Sequence, residues 1–301
     1  MGLKIFLSFL FFIFCIGSLI VYWFIPFGTI EFGTKSSNSN FNVNQSGDMQ
    51  FYQNMRYSDS EISYNIYDCP LQKKNDMEKA FDIISNRSVL RFSSVDYGTS
   101  EISVTCDSKN RIEEGLFIAG EGGPSKIIKG NNFNVILRGE ILLIRDSNCG
   151  NPNVALHELL HALGFNHSEN SNNIMYPISK CKQTIGDDIF LLINKLYSTP
   201  SQPDLTFENV SAVMRGKYLD VNMSISNDGL KDSMESKIFI YADDKLVKEI
   251  ELEELKIGYG RIISLSNLFV KQINVNSLDF FIDYNFSELE KNNNRINLKL
   301  D

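Results

Sequence analysis

The pattern of hydrophobic and polar positions changes several times along the chain. Residues 5–25 form an uncharged stretch dominated by Phe, Leu and Ile, whereas residues 28–60 are rich in Ser, Asn and Gln with little apolar periodicity. Between residues 61 and 199, strand-like alternation is interleaved with helix-like spacing, and after residue 200 apolar residues mostly alternate with polar ones. The pattern predicts an apolar N-terminal helix, a flexible stalk, a mixed domain and a β domain, in that order.

The N-terminal apolar stretch predicts a transmembrane helix. A helix over residues 5–25 would measure about 31 Å, which matches a hydrocarbon layer of ~30 Å. Tyr22 and Trp23 lie near its outer end, where aromatic side chains favour the interface. We therefore predict a signal-anchor over residues 5–27, with residues 1–4 cytoplasmic and the bulk of the chain extracellular. A cleaved signal peptide, which would give a secreted protein, is the alternative.

Residues 61–199 are predicted to form an α+β domain. Strands are expected at 62–66, 89–92, 102–104, 133–137 and 141–144, and helices at 77–84, 154–163 and 185–196. This mixed order of strands and helices is typical of an α+β or mixed α/β layout.

Residues 200–301 are predicted to form an Ig-like β-sandwich. Segment 199–203 contains two prolines and polar filler, which indicates a linker. The apolar residues of 219–225 alternate with polar ones and stop at 227–229, a hairpin-type turn. About seven short strands, separated by turns every 8–12 residues, are typical of such a sandwich.

Composition narrows the classes of function. The chain has 301 residues, of which 43% are hydrophobic, so it can build two packed domains and is not disordered as a whole. Its net charge is −8 and it contains no basic run, so we predict no nucleic-acid partner. The acidic residues of 249–254 are expected to form a solvated face, with docking of substrate or of the cell wall as the alternative.

Four of the five cysteines lie outside the apolar N-terminal stretch. An even number in an exported chain predicts two disulfides, although four cysteines permit three connectivities. We prefer Cys69–Cys106 and Cys149–Cys181, because each pair would brace one part of the same domain. Free buried thiols are the alternative.

The three histidines of the chain all lie within eleven residues. His157 and His161 are four residues apart, which places both imidazoles on one helix face, where they can bind one metal ion. Gly164 allows the backbone to leave the helix sharply, so that His167 can return as a third ligand. Three neutral imidazoles leave a fourth tetrahedral position open for water, as in catalytic Zn²⁺ sites. Glu158, next to the first ligand, is expected to act as general base and acid.

These residues also resemble a known family. The motif His157-Glu158-x-x-His161-x-x-Gly164-x-x-His167, followed by Asn173-Ile174-Met175-Tyr176-Pro177, is similar to the metzincin clan of zinc endopeptidases, and most of all to its matrixin branch. The resemblance implies a polypeptide substrate and a turn in which Met175 forms a hydrophobic floor beneath the imidazoles. Tyr176 and Pro177 would support the site, Tyr176 in the pocket wall. A Cys149–Cys181 bridge would then join the two halves of the zinc site.

The chain departs from the family pattern in three places. It has no Pro-Arg-Cys-Gly-type pro-segment, and it has no D-x-[DN]-x-[DN]-G loop, so we predict neither thiol-based latency nor structural calcium. Ile178 stands where astacin-like members carry a tyrosine that stabilises the oxyanion. By the same resemblance, substrate is expected to add as a strand beside the cleft, with 141–144 as the edge strand.

The C-terminal domain resembles a different family. Three short motifs, Pro203-Asp204-Leu205, Ser226-Asn227-Asp228-Gly229 and Glu288-x-Glu290-Lys291-Asn292-Asn293, are similar to the CARDB adhesion modules of prokaryotic surface proteins. We therefore predict a membrane-anchored, extracellular zinc metalloendopeptidase with a C-terminal β-sandwich. The alternative is an inactive zinc-binding adhesion protein whose sandwich binds a cell-surface ligand.

Overall fold

A computed structural model describes residues 2, 7–8, 11–14, 16–17, 38–41, 48–96, 98, 100–108, 111–113, 116–145, 149–272 and 274–299. The chain divides into two units, 1–37 and 38–301. In the first unit the described residues are helical, and the other positions of the predicted cytoplasmic tail (1–4) and signal-anchor (5–27) lie outside the described residues. Across the described part of the chain, no helix combines the length and the apolarity that a membrane span requires.

A six-stranded sheet forms the framework of the mixed domain. Its strands are β1 (Met55–Tyr57), β2 (Glu61–Ile66), β3 (Arg91–Ser94), β4 (Ile102–Cys106), β7 (Gly120–Lys129) and β8 (Asn134–Leu143), while β5 (Ile112–Glu113) and β6 (Leu116–Phe117) form a separate ribbon. The order is β1-β8-β4-β2-β3 with parallel neighbours, and β7 pairs antiparallel with β8. The sheet is therefore parallel except at β7.

Three helices accompany this sheet: α1 (Leu71–Arg87), α2 (Asn153–Ala162) and α3 (Asp187–Leu196). Helix α1 buries Met77, Ala80, Phe81 and Ile84, which are spaced so that they share one face. Helix α2 is buried on almost every side and packs against β7 and β8. The α+β arrangement thus places α2, the helix with the histidines, directly on the antiparallel part of the sheet.

The stalk predicted for residues 28–60 is too long, because part of this segment belongs to the folded mixed domain. Residues 55–57 form β1, paired with β8, and Met55 and Tyr57 are fully buried. Phe41 also belongs to the core, and its backbone N–H donates to the Asp188 carboxylate (2.6 Å). Parts of this polar, aperiodic segment are therefore held by tertiary contacts that its own pattern does not reveal.

The prediction that residues 141–144 form the sheet edge is wrong. The segments 133–137 and 141–144 belong largely to one continuous strand, β8, and Ile141 pairs with Val104 on one side and with Gly122 on the other. Among the described residues, β7 pairs with β8 alone, on the side opposite β4, so β7 is the edge strand on that side of the sheet. Its register shifts twice after Pro124.

Residues beyond 203 form the predicted sandwich. One sheet has the order β13-β10-β9 and the other β12-β11-β14-β15. Alternate residues of β10, from Leu219 to Ile225, are buried, in agreement with their period of two. The predicted hairpin at 227–229 is wrong, because β10 and the strand that follows it, β11, lie in different sheets. The strands are β9 (Leu205–Arg215), β10 (Tyr218–Asn227), β11 (Ser236–Ala242), β12 (Lys245–Leu252), β13 (Gly260–Phe269), β14 (Ser277–Asp283) and β15 (Arg295–Lys299).

A small apolar cluster joins the two domains. Val135 of β8 is buried together with Leu230 and Ile257 of the sandwich. Around the linker, the Arg56 guanidinium donates to the carbonyls of Leu196 (2.5 Å) and Thr199 (2.9 Å). The linker is therefore held at its start by the mixed domain.

Candidate metal centre

Two of the three histidines lie on α2, one turn apart. The Nε2 atoms of His157 and His161 are 3.0 Å from each other, and both side chains are buried. Since residues four apart in a helix lie above one another, α2 directs both rings to the same point.

The third histidine reaches this point because the chain turns at Gly164. Gly164 follows the last residues of α2 with φ of +95°, a left-handed conformation that favours glycine at this position. A Cβ there would also lie 2.7 Å from the sulfur of Met55. The chain then returns, and the Nε2 atoms of His161 and His167 are 3.2 Å apart.

The three imidazoles form a donor set that suits Zn²⁺. One ring nitrogen from each histidine lies within 4.8 Å of the other two. The Nδ1 of His157 donates to the carbonyl of Ile174 (2.7 Å) and the Nδ1 of His161 to that of Phe165 (2.8 Å). These bonds fix the tautomer with an unprotonated Nε2 facing the centre, the arrangement that metal-binding histidines need.

Burial also keeps the histidines neutral. Desolvation lowers the pKa of His157 to about 4 and that of His161, which faces the other two imidazoles, to about 3. His167 is the most exposed of the three histidines, and its partial burial lowers its pKa as well. Neutral imidazole is the form that binds a metal, so the ligands need not lose a proton near neutral pH.

Glu158 lies beside the first histidine and is enclosed by β7. Burial, and secondarily the carboxylate of Glu121, raise the pKa of Glu158 to about 8. A cation held by the imidazoles would favour the charged carboxylate and oppose this shift. Gly120 and Gly122 of β7 face Glu158 so closely that a Cβ at either position would overlap it. A carboxyl group in this setting can accept and return a proton.

The loop after His167 contains Met175, and its place as a floor beneath the imidazoles stays a prediction from the resemblance. Met175 is fully buried; its N–H donates to Asn173 Oδ1 (2.7 Å), and its carbonyl accepts from the Ser168 N–H (2.9 Å). Because the neighbouring Ile174 carbonyl binds His157, the turn positions a histidine directly. Tyr176 is half-buried and Pro177 is exposed.

The structure forms both preferred disulfides. Cys149–Cys181 joins the segment before α2 to the loop that follows Met175, as we expected for a bridge between the two halves of the site. Cys69–Cys106 joins the start of α1 to the end of β4. Free thiols, the alternative for these four cysteines, are not what the structure contains.

Two contacts of the site were not anticipated from the sequence. The ring of Phe51, within the predicted stalk, stacks on His161 with 5.7 Å between ring centroids. The glycines of β7 leave the space that Glu158 occupies. The Gly-rich composition of 120–123 was the available signal for the second contact, but only the pairing of β7 with β8 reveals which helix it faces.

Comparison with known proteins gives matches for both domains. Residues 54–198 match the family model of Matrixin, and residues 202–297 match that of CARDB. Macrophage metalloelastase of Rattus norvegicus is 28% identical over 178 residues, which cover 51% of this chain and 36% of the relative. The chain thus matches about a third of that protein. A solved CARDB domain from Pyrococcus furiosus, in complex with di-metal ions, is 18% identical, with a TM-score of 0.28 over 33% of this chain and 88% of the other.

Proposed function

Since the chain carries a matrixin domain followed by a CARDB domain, we propose that it is a zinc metalloendopeptidase that hydrolyses peptide bonds of proteins. The observation that carries the proposal is the convergence of three imidazole nitrogens beside Glu158, two from the buried helix α2 and one, from His167, that returns after the turn at Gly164. His157, His161 and His167 would hold the ion. When bound, Zn²⁺ supplies Lewis acidity, which polarises a carbonyl and makes a water more acidic.

The other steps belong to the residues of the chain. Glu158 would accept the proton of the attacking water and then donate it to the leaving amine. The exposed edge of β7 offers N–H and C=O groups to the main chain of an extended substrate. Pro124 lacks an N–H and precedes the register shifts, so this ladder is expected to cover mainly Gly120–Gly123.

The test compares the wild-type chain with Glu158→Ala on a mixed peptide library, with the zinc content of both measured. We expect the wild type to cleave and the zinc-loaded variant to lose activity by a factor of about 10³ or more. If neither protein cleaves although both hold zinc, the adhesion protein becomes the better description. If the wild type binds no zinc, the proposed function is wrong.

We further propose that the chain acts outside the cell, as its apolar N-terminal stretch and cysteine content suggest. Fractionation of cells that express the full chain, with N-terminal sequencing of the product, tests this. A membrane-bound product that begins at residue 1 supports the signal-anchor, and a soluble extracellular product supports a cleaved signal peptide. A soluble cytoplasmic product would contradict both.

A further inference from the structure

A polar cleft lies where the mixed domain meets the sandwich. Its volume is about 570 Å³. One wall is the turn between β7 and β8, and the floor is the outer face of β9, β10 and β13. Four charged side chains line it, two of each sign: Lys129, Arg261, Glu208 and Asp228. Asn131 Nδ2 donates to Asp228 Oδ2 (2.6 Å), so a hydrogen bond between the domains closes one side.

The candidate metal centre and this cleft are connected by one strand. Strand β7 begins at Gly120, against Glu158, and ends at Lys129, which lines the cleft. Seven positions separate Gly122 from Lys129, and an extended chain covers that distance in about 23 Å. A polypeptide that pairs with Gly120–Gly123 beside Glu158 and then continues in an extended conformation alongside β7, without regular pairing, would therefore arrive at the cleft after about seven residues.

Two consecutive aromatic residues also connect the candidate metal centre with the cleft. Phe51 stacks on the ligand His161, and the next residue, Tyr52, lies under the Lys129 ammonium at 4.1 Å from its ring centroid. Both aromatic side chains are about two-fifths exposed, at 39% and 41%. Exposed aromatic rings beside a site supply contact area at a low entropic cost.

The floor of the cleft contains one prominent apolar residue. Ile262 of β13 is an apolar residue with 80% of its surface exposed, and the side chains around it, such as Asn209 and Ser224, are polar. An apolar anchor surrounded by hydrogen-bonding groups and by charges of both signs suits a polypeptide segment. A phosphate polymer would meet the carboxylates of Glu208 and Asp228.

We propose that this cleft is a second substrate-binding site, which holds the part of a long polypeptide that extends about seven residues beyond the metal centre. The inference rests on the proposed function and deepens it: the sandwich would contribute directly to the choice of substrate. Short peptides would occupy the metal centre alone, whereas unfolded or extended protein segments would occupy both sites.

The first arm of the test measures kinetics with the full chain. Two peptides share one cleavage sequence, one with three residues and one with twelve residues on each side of the scissile bond. We expect Ile262→Ser to raise KM for the long peptide about fivefold relative to KM for the short one. The matched control is Val213→Ser, because Val213 is also an exposed aliphatic residue of this sandwich (54%) but does not line the cleft.

The second arm measures binding without turnover. Fluorescence anisotropy compares the labelled long peptide on zinc-loaded Glu158→Ala with the same variant carrying Ile262→Ser or Lys129→Ala. Weaker binding in both double variants supports the cleft. Equal binding, or an equal loss with Val213→Ser, overturns it. Failure of the wild type to cleave either peptide would overturn the proposed function separately, and the binding arm would still decide on the cleft.

Discussion

A methyl group added at Gly120 would lie 2.8 Å from both Cγ and Oε1 of Glu158. At Gly122 the added group would instead meet the backbone of Glu158, which cannot move without shifting α2. Gly120 therefore limits the position of the Glu158 carboxylate, whereas Gly122 sets the spacing between α2 and β7.

With Glu158 in its proposed role as general base, we expect Gly120→Ala to lower kcat roughly ten- to a hundredfold, because small displacements of such a group are costly, while zinc content stays at the wild-type level. Gly123→Ala is the matched control, since nothing lies within 4 Å of an added Cβ there and the substitution keeps the backbone N–H and C=O that are proposed to pair with substrate. Steady-state kinetics and metal analysis of both variants check this. Equal kcat values for the two variants would contradict it.

Glu288 is a buried carboxyl of the sandwich, and it accepts hydrogen bonds from the Leu205 N–H (3.0 Å) and from the Asn294 amide. Burial outweighs these bonds and raises its pKa. The folded state thus retains a proton that the unfolded state has released, so this group makes unfolding easier as pH rises from the ordinary carboxyl pKa towards the folded pKa.

Glu288→Gln should remove that contribution. The variant keeps an acceptor for Leu205, and Asn294 Oδ1, which has no partner in the described part of the chain, can accept from the new amide after a flip. We expect the difference in Tm, variant minus wild type, to increase as pH rises through this window. Thermal unfolding at a series of pH values measures it, and a difference that is constant or falls with pH would count against the assignment.

At the scale of elements, α2 is held at both ends. Before it, Cys149 is bridged to Cys181 beyond the methionine turn, and the amide of Asn153 at the first turn donates to the Lys180 carbonyl (2.8 Å). After it, Gly164 sends the chain back towards the third histidine. The helix and the loop that contains the methionine turn are therefore tied together by a covalent bond and a hydrogen bond.

Replacing Cys149 and Cys181 by Ser should lower both stability, by about 2–4 kcal/mol, and zinc affinity. The corresponding double variant at Cys69 and Cys106 is the control, because that bridge lies between α1 and β4. It should lower stability with little change in zinc affinity. Competition with a chelator measures the zinc affinity, and denaturant titration measures the free energy of unfolding. Similar zinc affinities in the two double variants would contradict the expectation that only the Cys149–Cys181 bridge supports the zinc site.

At the scale of the whole chain, the junction between the domains depends on Gly258. It adopts φ of +71°, and a Cβ there would overlap the side chain of Ile128 on β7. Both the backbone conformation of Gly258 and its close approach to Ile128 of the mixed domain therefore favour glycine at this position.

Gly258→Ala should loosen this junction, with faster proteolysis of the linker at residues 199–203. Gly216→Ala is the control, because φ there is +63° and nothing lies within 4 Å of an added Cβ. Both variants bear a backbone cost of about 1–2 kcal/mol, but only the first disturbs the contact with Ile128. Limited proteolysis of both full-length variants tests this, and equal cleavage rates would argue against a close-packed junction.

The sequence predicts those parts of the molecule whose physical cause is local. The spacing from His157 to His167, the glycine after α2 and the alternation in β10 each depend on a few neighbouring residues, and the structure agrees with them. The edge of the sheet, the burial of 55–57 and the contact of Gly120 with Glu158 depend on pairing between distant segments. An apolar run such as 141–144 is compatible with an interior or an edge strand, so its pattern could not decide between them.

The edge strand has one further consequence, for solubility. The open outer edge of a strand is also a surface on which a second copy of the chain could add by main-chain hydrogen bonds, which is how many proteins aggregate. In β7 the first residues are open, but Pro124 removes a donor and the register shifts that follow bend the strand. Lys126 and Lys129 add charge to its second half. An edge of this kind leaves room for one short extended segment at Gly120–Gly123, while its second half resists growth of a sheet from molecule to molecule.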